Sequence, residues 1–342
     1  MFVGLGNQGL RMVSDDGRRW EWVDAQPKKT GGGSRIQFYD VIWADNRFVG
    51  VGSLGYTGGA DAISMTSEDG REWQSSQDLR DIGGHFYAVA YGNGFFLAMG
   101  GNGGHAGMTM GTSQNGWEWK LMEQYYRDYL PEKYRKSELQ TKWHGINVRK
   151  LPKEAKAALK EFVDFDDARG HIRQIVYGNG RFVAIGDQQR NSVTLNNNAL
   201  KWKTHQEKEE LPPPLISIVY ANGLFVAGGM HGERYWSEDG FTWSEPVKGE
   251  IGEHVNSIVW TGDRFVAVAN YATFESADGK TWDKIATDNL VRRVSFGDGR
   301  YIGTNGPGDR VYWSTNAIEW HDAEVPDEKE FYIRTTTHGA VG

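Results

Sequence analysis

One phrase recurs seven times along the 342-residue chain, and this repeat constrains the fold more than any other feature. Its first half is an apolar run, a tight turn and a second apolar run, as in FYAVAYGNGFFLAMG at 86–100 and LISIVYANGLFVAGG at 215–229. Its second half is a polar turn that leads to a tryptophan, as in SEDGREW at 67–73. The tryptophans that end the phrase are Trp20, Trp73, Trp119, Trp202, Trp243, Trp282 and Trp320. Such a repeat predicts seven similar structural units.

The pattern inside each unit is typical of short antiparallel strands. Apolar and polar residues alternate, and Asn-Gly or Asp-Gly pairs mark tight hairpins, which gives four strands in about 40 residues. The 45 glycines and 14 tryptophans also favour many turns and buried indoles over a helical protein. Because one four-stranded sheet cannot bury both of its faces, seven of them must stack around an axis. The sequence therefore predicts an all-β, seven-bladed propeller, with each tryptophan between neighbouring blades.

The two ends of the chain predict how the ring closes. The segment FYIRTTTHG at 331–339 has the pattern of a first strand with its turn, whereas MFVGLG at 1–6 begins at a second strand. We expect the C-terminal strand to complete the blade that the N-terminus starts. The whole of 1–342 is then one domain.

The S-x-D-G-x-x-W turns resemble a shortened Asp-box, the motif of sialidase-type propellers. Outside one insertion, the chain is similar to the broad BNR or photosystem II assembly-factor class of repeats. That class includes glycosidases, polysaccharide lyases and binding proteins, so the resemblance implies an architecture rather than an activity. Two departures disfavour a sialidase: one residue is missing between Asp and Gly, and the chain has no Arg-Ile-Pro segment in its first blade.

The acidic residues of these turns are expected to be structural. Asp16, Asp69, Asp239 and Asp278 each precede a glycine. We expect each carboxylate to accept backbone N–H bonds and each glycine to take a positive φ.

One insertion interrupts the repeat. Successive tryptophans are 53, 46, 83, 41, 39 and 38 residues apart, so the third interval carries about 40 extra residues. The insertion, 120–170, has two segments with helical patterning, 123–136 and 151–165, and its 12 basic and 9 acidic residues give it a net charge of +3. It is expected to lie on one face of the propeller as a lid. Its aromatic residues either stack on a sugar or anchor the helices; they are Tyr125, Tyr126, Tyr129, Tyr134 and Trp143.

Histidines gather at one position of the aligned repeats, just before the innermost strand and on the face that carries the insertion. Reading round the ring, this position holds Gln37, His85, His171, Pro214, His254, Leu290 and Glu330. His105 and His231 fall in other loops of the same face. These histidines are either a shared site or unrelated loop residues.

Arginines occupy the beginnings of the innermost strands, where small or apolar residues are usual. They are Arg173, Arg292, Arg293 and Arg334, with Tyr39, Tyr87 and Tyr332 nearby. They either pair with structural carboxylates such as Asp40 or hold a carboxylate or sulfate of a ligand.

An anionic glycan substrate would use these residue types. β-Elimination from a uronate requires a positive group at the carboxylate, a base for the C5 proton and an acid for the leaving oxygen. Architecture and residue types are similar to those of propeller polysaccharide lyases, which act with His, Tyr and Arg on one face. We therefore predict a polysaccharide or oligosaccharide lyase, with His85, His171, His254, Tyr87 and Glu330 as catalytic candidates. The predicted substrate-binding residues are Arg173, Arg292, Arg293, Arg334, His105, His231 and Trp143.

Three alternatives remain open at this point. A glycoside hydrolase needs two nearby carboxylates, and the aligned position supplies only Glu330. No cofactor is assigned, although His85, His171 and His254 would suit a divalent metal. A non-catalytic propeller would instead use the arginines and the insertion to dock an acidic protein or glycan partner.

Composition excludes some functions and leaves the compartment open. No apolar run is long enough to span a bilayer, and the net charge of −7 disfavours sequence-independent nucleic-acid binding. The chain lacks cysteine and therefore disulfides and thiolate chemistry. We expect a secreted or periplasmic protein whose signal peptide is missing from this sequence, with a cytoplasmic location as the alternative.

Overall fold

The computed structural model contains seven antiparallel sheets arranged as the blades of a propeller, which confirms the predicted fold. The residues described are 1–23, 36–55, 61–76, 79, 84–101, 109–140, 147–159, 172–186, 191–205, 213–305, 310–326 and 332–341. The innermost strands of successive blades contact one another all the way round the ring.

The blades are numbered along the chain. Blade 1 consists of β1 Phe2–Gly6, β2 Arg11–Ser14, β3 Glu21–Trp22 and β27 Ile333–His338. Blade 2 consists of β4 Ile36–Ala44, β5 Arg47–Leu54, β6 Asp61–Ser67 and β7 Gln74–Ser75. Blade 3 consists of β8 His85–Gly92, β9 Phe95–Gly101, β10 Met110–Ser113 and β11 Lys120–Leu121. Blade 4 consists of β12 Ile172–Gly178, β13 Arg181–Gly186, β14 Asn191–Thr194 and β15 Trp202–Thr204.

The remaining three blades follow the same order. Blade 5 consists of β16 Leu215–Ala221, β17 Leu224–Gly229 and β18 Arg234–Ser237. Blade 6 consists of β19 Val255–Trp260, β20 Phe265–Ala269, β21 Thr273–Ser276 and β22 Asp283–Ala286. Blade 7 consists of β23 Arg293–Gly297, β24 Arg300–Thr304, β25 Val311–Ser314 and β26 His321–Asp322.

Blade 5 departs slightly from four strands. At its outer edge, Arg234 and Val247 exchange two backbone hydrogen bonds of 3.0 and 2.9 Å, and these form an isolated bridge instead of a fourth strand. Ser244 N–H, in place of that of Glu245, donates to Trp236 O at 3.0 Å, and this shift in register stops the pairing from extending.

The ring closes as predicted. β27 pairs antiparallel with β1, with Phe2 opposite His338 and Leu5 opposite Thr335. The last strand of the chain is therefore the innermost strand of blade 1, and backbone hydrogen bonds join the two ends of the sequence.

An aromatic pair lies across the two inner strands at the same end of every blade, next to the hairpin in blades 2 to 7 and at the paired chain ends in blade 1. In blade 3, Tyr91 lies opposite Phe96 with ring centres 4.7 Å apart, and Asn93 and Gly94 between them take positive φ angles of 53° and 81°. The other pairs are Trp43–Phe48, Tyr177–Phe182, Tyr220–Phe225, Trp260–Phe265, Phe296–Tyr301 and His338–Phe2. Such cross-strand contacts explain the repeated aromatic letters on both sides of the turn.

The Asp-box-like turns have the structural role that the sequence predicts. Asp69 Oδ1 accepts the backbone N–H groups of Arg71 and Glu72, both at 2.8 Å, and Gly70 has a φ of 72°. Trp73 Nε1 donates to the Gly70 carbonyl at 2.8 Å. The carboxylates of these turns are therefore engaged in holding the loop.

The repeat tryptophans help to fill the spaces between blades. Trp119 of blade 3 packs in one buried cluster with Val49 and Val51 of blade 2. Trp20 of blade 1 packs with Ile302 and Val311 of blade 7. The cores thus lie between sheets, so the blades depend on their neighbours for burial.

The insertion is helical as predicted, and its described part is anchored to blades 3 and 4. It contains α1 Met122–Tyr129, α2 Lys153–Leu159 and three short 3₁₀ turns at Glu132–Tyr134, Ser137–Leu139 and Val148–Lys150. Tyr125 and Tyr126 pack against the core between these blades, and the Tyr125 hydroxyl lies 2.7 Å from Thr112 Oγ1. Tyr134 packs in a small cluster inside the insertion, whereas Tyr129 is exposed. This packing favours anchoring over sugar stacking for Tyr125 and Tyr126, and Trp143 lies outside the described residues. Neither described helix is long and apolar enough to cross a membrane.

Candidate functional site: an arginine cluster at the channel mouth

All innermost strands begin at the same end of the central channel. The insertion joins the outermost strand of blade 3 to the innermost strand of blade 4, so this end also carries the insertion. We call it the insertion-side mouth. Arg293 is the first residue of β23, and Arg334 and Arg173 are the second residues of β27 and β12. Strand direction therefore places all three arginines at this mouth.

The arginines influence one another across the channel. Desolvation lowers the pKa of Arg293; the charge of Asp40 opposes this effect, and the charges of Arg334 and Arg173 add to it. Blades 4 and 7 stand on opposite sides of the ring, so an interaction between Arg173 and Arg293 has to cross the axis. Arg293 Nη1 donates to the backbone O of Arg334 at 3.3 Å, which joins blades 7 and 1 directly, whereas Asp40 of blade 2 and Arg173 of blade 4 act on Arg293 through their charges. Together we call Arg173, Arg293 and Arg334 the arginine cluster.

Asp40 is the carboxylate that faces this cluster. Burial raises its pKa to about 6, although hydrogen bonds from the backbone N–H groups of Val89 and Val41, both at 3.0 Å, and the charge of Arg293 work in the opposite direction. Its two oxygens are thus held by the backbones of blades 2 and 3. Both hydrogen bonds come from backbone groups, so Asp40 acts on Arg293 through its charge.

Aromatic side chains form one wall beside the cluster. The Arg334 guanidinium carbon lies 5.1 Å from the centre of the Tyr39 ring, a cation–π distance. The Tyr39 ring lies 4.8 Å from that of Tyr87, and His85 stacks on Tyr87 at 5.4 Å. The Tyr39 hydroxyl donates to Gln37 Oε1 at 3.1 Å. His85 is only 5% exposed, so its ring is a poor candidate for direct proton transfer to a ligand.

The other predicted residues fall into different places. His254 lies beside His231 with ring centres 5.4 Å apart, in loops of blades 5 and 6, and so is not part of the Tyr39–Tyr87–His85 wall. Arg292 is exposed just before β23, and its backbone N–H donates to Thr304 O at 2.8 Å. The predictions for His105, Trp143, His171 and Glu330 lie outside the described residues.

The described residues supply no set of ligands for the metal that the sequence analysis considered. Within those ranges, no group of three or more His, Asp or Glu side chains is placed to hold a metal ion. Neither His85 nor His254 therefore belongs to a described group of side chains that could hold a metal ion. His171 remains outside this test.

One residue of the site was missed by the sequence argument. Asn7 Oδ1 accepts a hydrogen bond from Arg334 Nε and so orients the guanidinium. Asn7 follows β1 and forms an isolated bridge with Gln37, the residue to which Tyr39 donates. The repeat gives no signal for Asn7, because blade 1 is split between the two chain ends.

Comparisons with known proteins show the fold. No protein-family model matches the sequence, and no curated protein matches it. Among solved structures, YCF48 bound to D1 peptide is similar at 16% identity and a TM-score of 0.51, over 84% of this chain and 81% of that chain. The nidogen/laminin complex matches at 10% identity and a TM-score of 0.50, over 85% and 97%. The WD40 propeller domain of Doa1 matches at 10% identity and a TM-score of 0.50, over 86% and 84%. At such identities the likeness establishes a propeller and no specific activity.

Proposed function

We propose that the protein binds an anionic ligand at the insertion-side mouth, where Arg173, Arg293 and Arg334 hold a carboxylate or sulfate group. The supporting observation is that, among the described residues, the charges of Arg334 and Arg173 both act on Arg293 and the charge of Asp40 opposes them. An anion relieves the repulsion between the guanidinium groups, and guanidinium binds such groups through paired N–H donors. The ligand would approach beside the aromatic wall of Tyr39 and Tyr87.

Two classes of ligand carry the required group. A uronate-containing glycan is the class that the sequence predicts, and an acidic segment of a polypeptide is the other. Two of the similar solved structures are complexes with a peptide or a protein, which supports the second class for this chain. Both classes share the carboxylate, so the arginine cluster is tested first with a small carboxylate probe.

The test is isothermal titration of the full chain with trigalacturonate at low ionic strength. We expect Arg293→Gln to weaken binding at least about tenfold, because a charge-assisted contact is lost, and we expect added salt to weaken binding to the unaltered protein. Arg71→Gln is the matched control, since it removes the same charge from an Asp-box-like turn at the other end of the propeller. Equal affinity in the Arg293 and Arg71 variants, or no heat with trigalacturonate and with inorganic sulfate, would refute the proposal.

A second candidate function is β-elimination on a uronate glycan. It is favoured by the aromatic wall: Tyr87 stands between His85 and Tyr39, and Tyr39 contacts Arg334. In this mechanism an arginine neutralises the uronate carboxylate, Tyr87 takes the C5 proton, and the C4–O bond breaks to leave a C4–C5 double bond. Tyr87 accepts this proton as the phenolate and then donates it to the leaving O4, so that both the proton and the electron pair are accounted for.

The assay for this candidate is absorbance at about 235 nm during incubation with a panel of uronate polysaccharides. A rise that is lost in Tyr87→Phe, while trigalacturonate binding persists, would support elimination. Binding without a rise in absorbance would support the binding function and exclude lyase activity on these polysaccharides.

A further inference from the structure

Four exposed apolar side chains stand on successive loops of the insertion-side face, from blade 5 to blade 7. Ile251 is 92% exposed, Tyr271 63%, Leu290 54% and Met230 39%. Loops of this kind are usually polar, and a row of exposed apolar residues marks an interaction site more often than an isolated one does. We call these four residues the apolar ridge.

Hydrogen bonds between blades hold the loops of the ridge. The His231 backbone N–H donates to His254 Nδ1 at 3.3 Å, and the Asn270 side chain donates to Gly252 O at 3.0 Å. Asn289 Nδ2 donates to Ala269 O, also at 3.0 Å. Each residue of the apolar ridge is next in sequence to a member of this network. Because these hydrogen bonds already fix the loop backbones, binding would order little additional backbone, which suits a docking surface.

A strained residue lies within the same network. His231 has a φ of 55°, in the left-handed region that favours glycine. Its Nδ1 faces the backbone N–H of Gly252 at 3.4 Å, which ties the loop of blade 5 to the loop that carries Ile251. The surrounding structure therefore maintains a costly conformation here, as occurs at functional surfaces.

Charge at the end of the ridge indicates the chemistry of the partner. Leu290 is followed after one buried residue by Arg292 and Arg293, which lead into the channel mouth. The carboxylates on both sides of Ile251 are engaged, because Lys284 Nζ lies 3.0 Å from Glu250 and 2.6 Å from Glu253. The loop of Leu290 also carries an exposed carboxylate, Asp288. The positively charged part of this surface therefore begins only at Arg292 and Arg293. An acidic group on the partner would be drawn to that end.

We infer that the apolar ridge docks a polypeptide segment of another protein, whose apolar side chains contact Met230, Ile251, Tyr271 and Leu290 and whose acidic residue enters the arginine cluster. The inference rests on the proposed function for its acidic end. Aliphatic side chains such as Ile251 and Leu290 cannot hydrogen-bond to sugar hydroxyls, which favours a polypeptide over a glycan along the ridge.

The test begins with selection of a displayed random dodecapeptide library on the immobilised full chain. We expect enriched peptides to combine two or three apolar residues with a neighbouring Asp or Glu. One enriched peptide is then synthesised with a fluorescent label, and its affinity is measured by anisotropy. We expect Ile251→Ser and Leu290→Ser each to weaken binding at least about tenfold, as is typical of central apolar contacts.

Matched controls exist at the opposite end of the propeller. Leu195 and Ile318 are exposed apolar residues in the turns after β14 and β25, and Leu195→Ser and Ile318→Ser should leave peptide affinity unchanged. The ridge is excluded if no peptide is enriched, or if ridge and control variants bind equally. If trigalacturonate binding still depends on Arg293 in that case, the proposed function survives alone. If peptide affinity depends on the ridge but not on Arg293, the acidic end of the inferred partner is wrong, and the proposed function is then decided by trigalacturonate binding alone.

Discussion

Asp40 Oδ2 of blade 2 accepts a hydrogen bond from the backbone N–H of Val89 in blade 3 at 3.0 Å. The same link recurs between later blades, where Gln174 Oε1 accepts from Ile218 N–H at 3.0 Å and Ser257 Oγ accepts from Val294 N–H at 3.3 Å. Asp40 thus occupies the position that holds Gln174 in blade 4 and Ser257 in blade 6. Its charge is the feature that distinguishes this link, and it faces Arg293.

The buried charge of Asp40 predicts a specific pH dependence of stability. Burial raises its pKa to about 6 from an ordinary 3.8, so the native state binds the proton more tightly than the unfolded chain does. The contribution of this group to stability is then present below about pH 4 and is lost as the pH rises through about 6. The unfolding free energy of Asp40→Asn exceeds that of the unaltered protein by a margin that should be about 2 kcal/mol larger at pH 7.5 than at pH 4.5. Urea unfolding at the two pH values measures this, and a constant difference between the proteins would contradict it.

Ligand binding should respond to the same group. Removing the negative charge beside Arg293 leaves the arginine cluster more positive, so Asp40→Asn should bind trigalacturonate a few-fold more tightly at pH 7.5. The unaltered protein should approach that affinity as the pH falls below about 6, the pKa to which burial raises Asp40. Titration calorimetry at pH 5 and 7.5 tests this, with Asp69→Asn at a distant turn as the control for net charge. Parallel pH profiles for the two variants would show that Asp40 has no part in binding.

The Asp-box-like turns allow a test of their structural role. Backbone N–H groups of Thr281 and Lys280, both 2.8 Å from Asp278 Oδ1, lower the pKa of Asp278 to about 2. Asp278→Ala should cost about 1 kcal/mol of unfolding free energy at pH 7, as for loss of a helix cap. Asp278→Asn should cost less, because Asn115 and Asn316 accept the equivalent bonds in blades 3 and 7. The depressed pKa means that the advantage of Asp over Asn is present above about pH 4 and vanishes as the pH falls towards 2. Denaturant unfolding at pH 7 and pH 3 measures both effects, and equal stability of the alanine variant would contradict the role.

Two glycines separate backbone strain from steric overlap. Gly240 and Gly94 have positive φ angles of 70° and 81°, but a Cβ on Gly240 would lie 2.3 Å from Val183 Cγ2, whereas a Cβ on Gly94 would meet nothing within 4 Å. Gly94→Ala should therefore cost about 1 kcal/mol, the price of the left-handed conformation alone. Gly240→Ala should cost about 1 to 3 kcal/mol more, because the turn packs tightly on the preceding blade. Thermal unfolding of both variants tests this, and equal losses would mean that Val183 yields freely.

A buried arginine predicts an unusual substitution. Arg234 in blade 5 stacks over Phe274 of blade 6 at 3.9 Å, and its Nε and Nη1 have no hydrogen-bond partner among the described residues. Burial lowers its pKa to about 10. Arg234→Met keeps the stacking volume without the desolvated charge, so we expect it to be as stable as the unaltered protein or more stable. Arg234→Ala leaves a cavity between blades and should lose about 2 kcal/mol or more. Chemical unfolding distinguishes them, and equal losses in both variants would show that the charge itself stabilises the contact.

The sequence identified the arginines but not their partners in space. Arg173, Arg293 and Arg334 stand out because they replace apolar residues in a repeat, so alignment alone finds them. Asn7 has no counterpart in that alignment, and the apolar ridge lies in loops whose lengths differ between blades. Periodicity carries no information about such positions.

The histidines illustrate the limit of alignment. His85 and His254 occupy the same position of two repeats, and the sequence therefore groups them. In the structure His85 is buried against Tyr87, whereas His254 pairs with His231 through loops of blades 5 and 6. Equivalent positions of two blades lie at the same height along the channel axis but at different angles around it, so their side chains need not touch.

The sequence by itself determined the number of blades, the hairpins, the closure of the ring by its two ends and the structural role of the Asp-box-like turns. Each of these depends on local periodicity, turn chemistry or pairing between adjacent strands, which a repeat displays directly. Only the tertiary structure decided that Arg173 acts on Arg293 across the axis, that Asp40 is held by Val89 of the next blade, and that four apolar residues form a ridge. Those relationships depend on distances between blades that are far apart in sequence, and these distances are set by how the sheets pack around the channel.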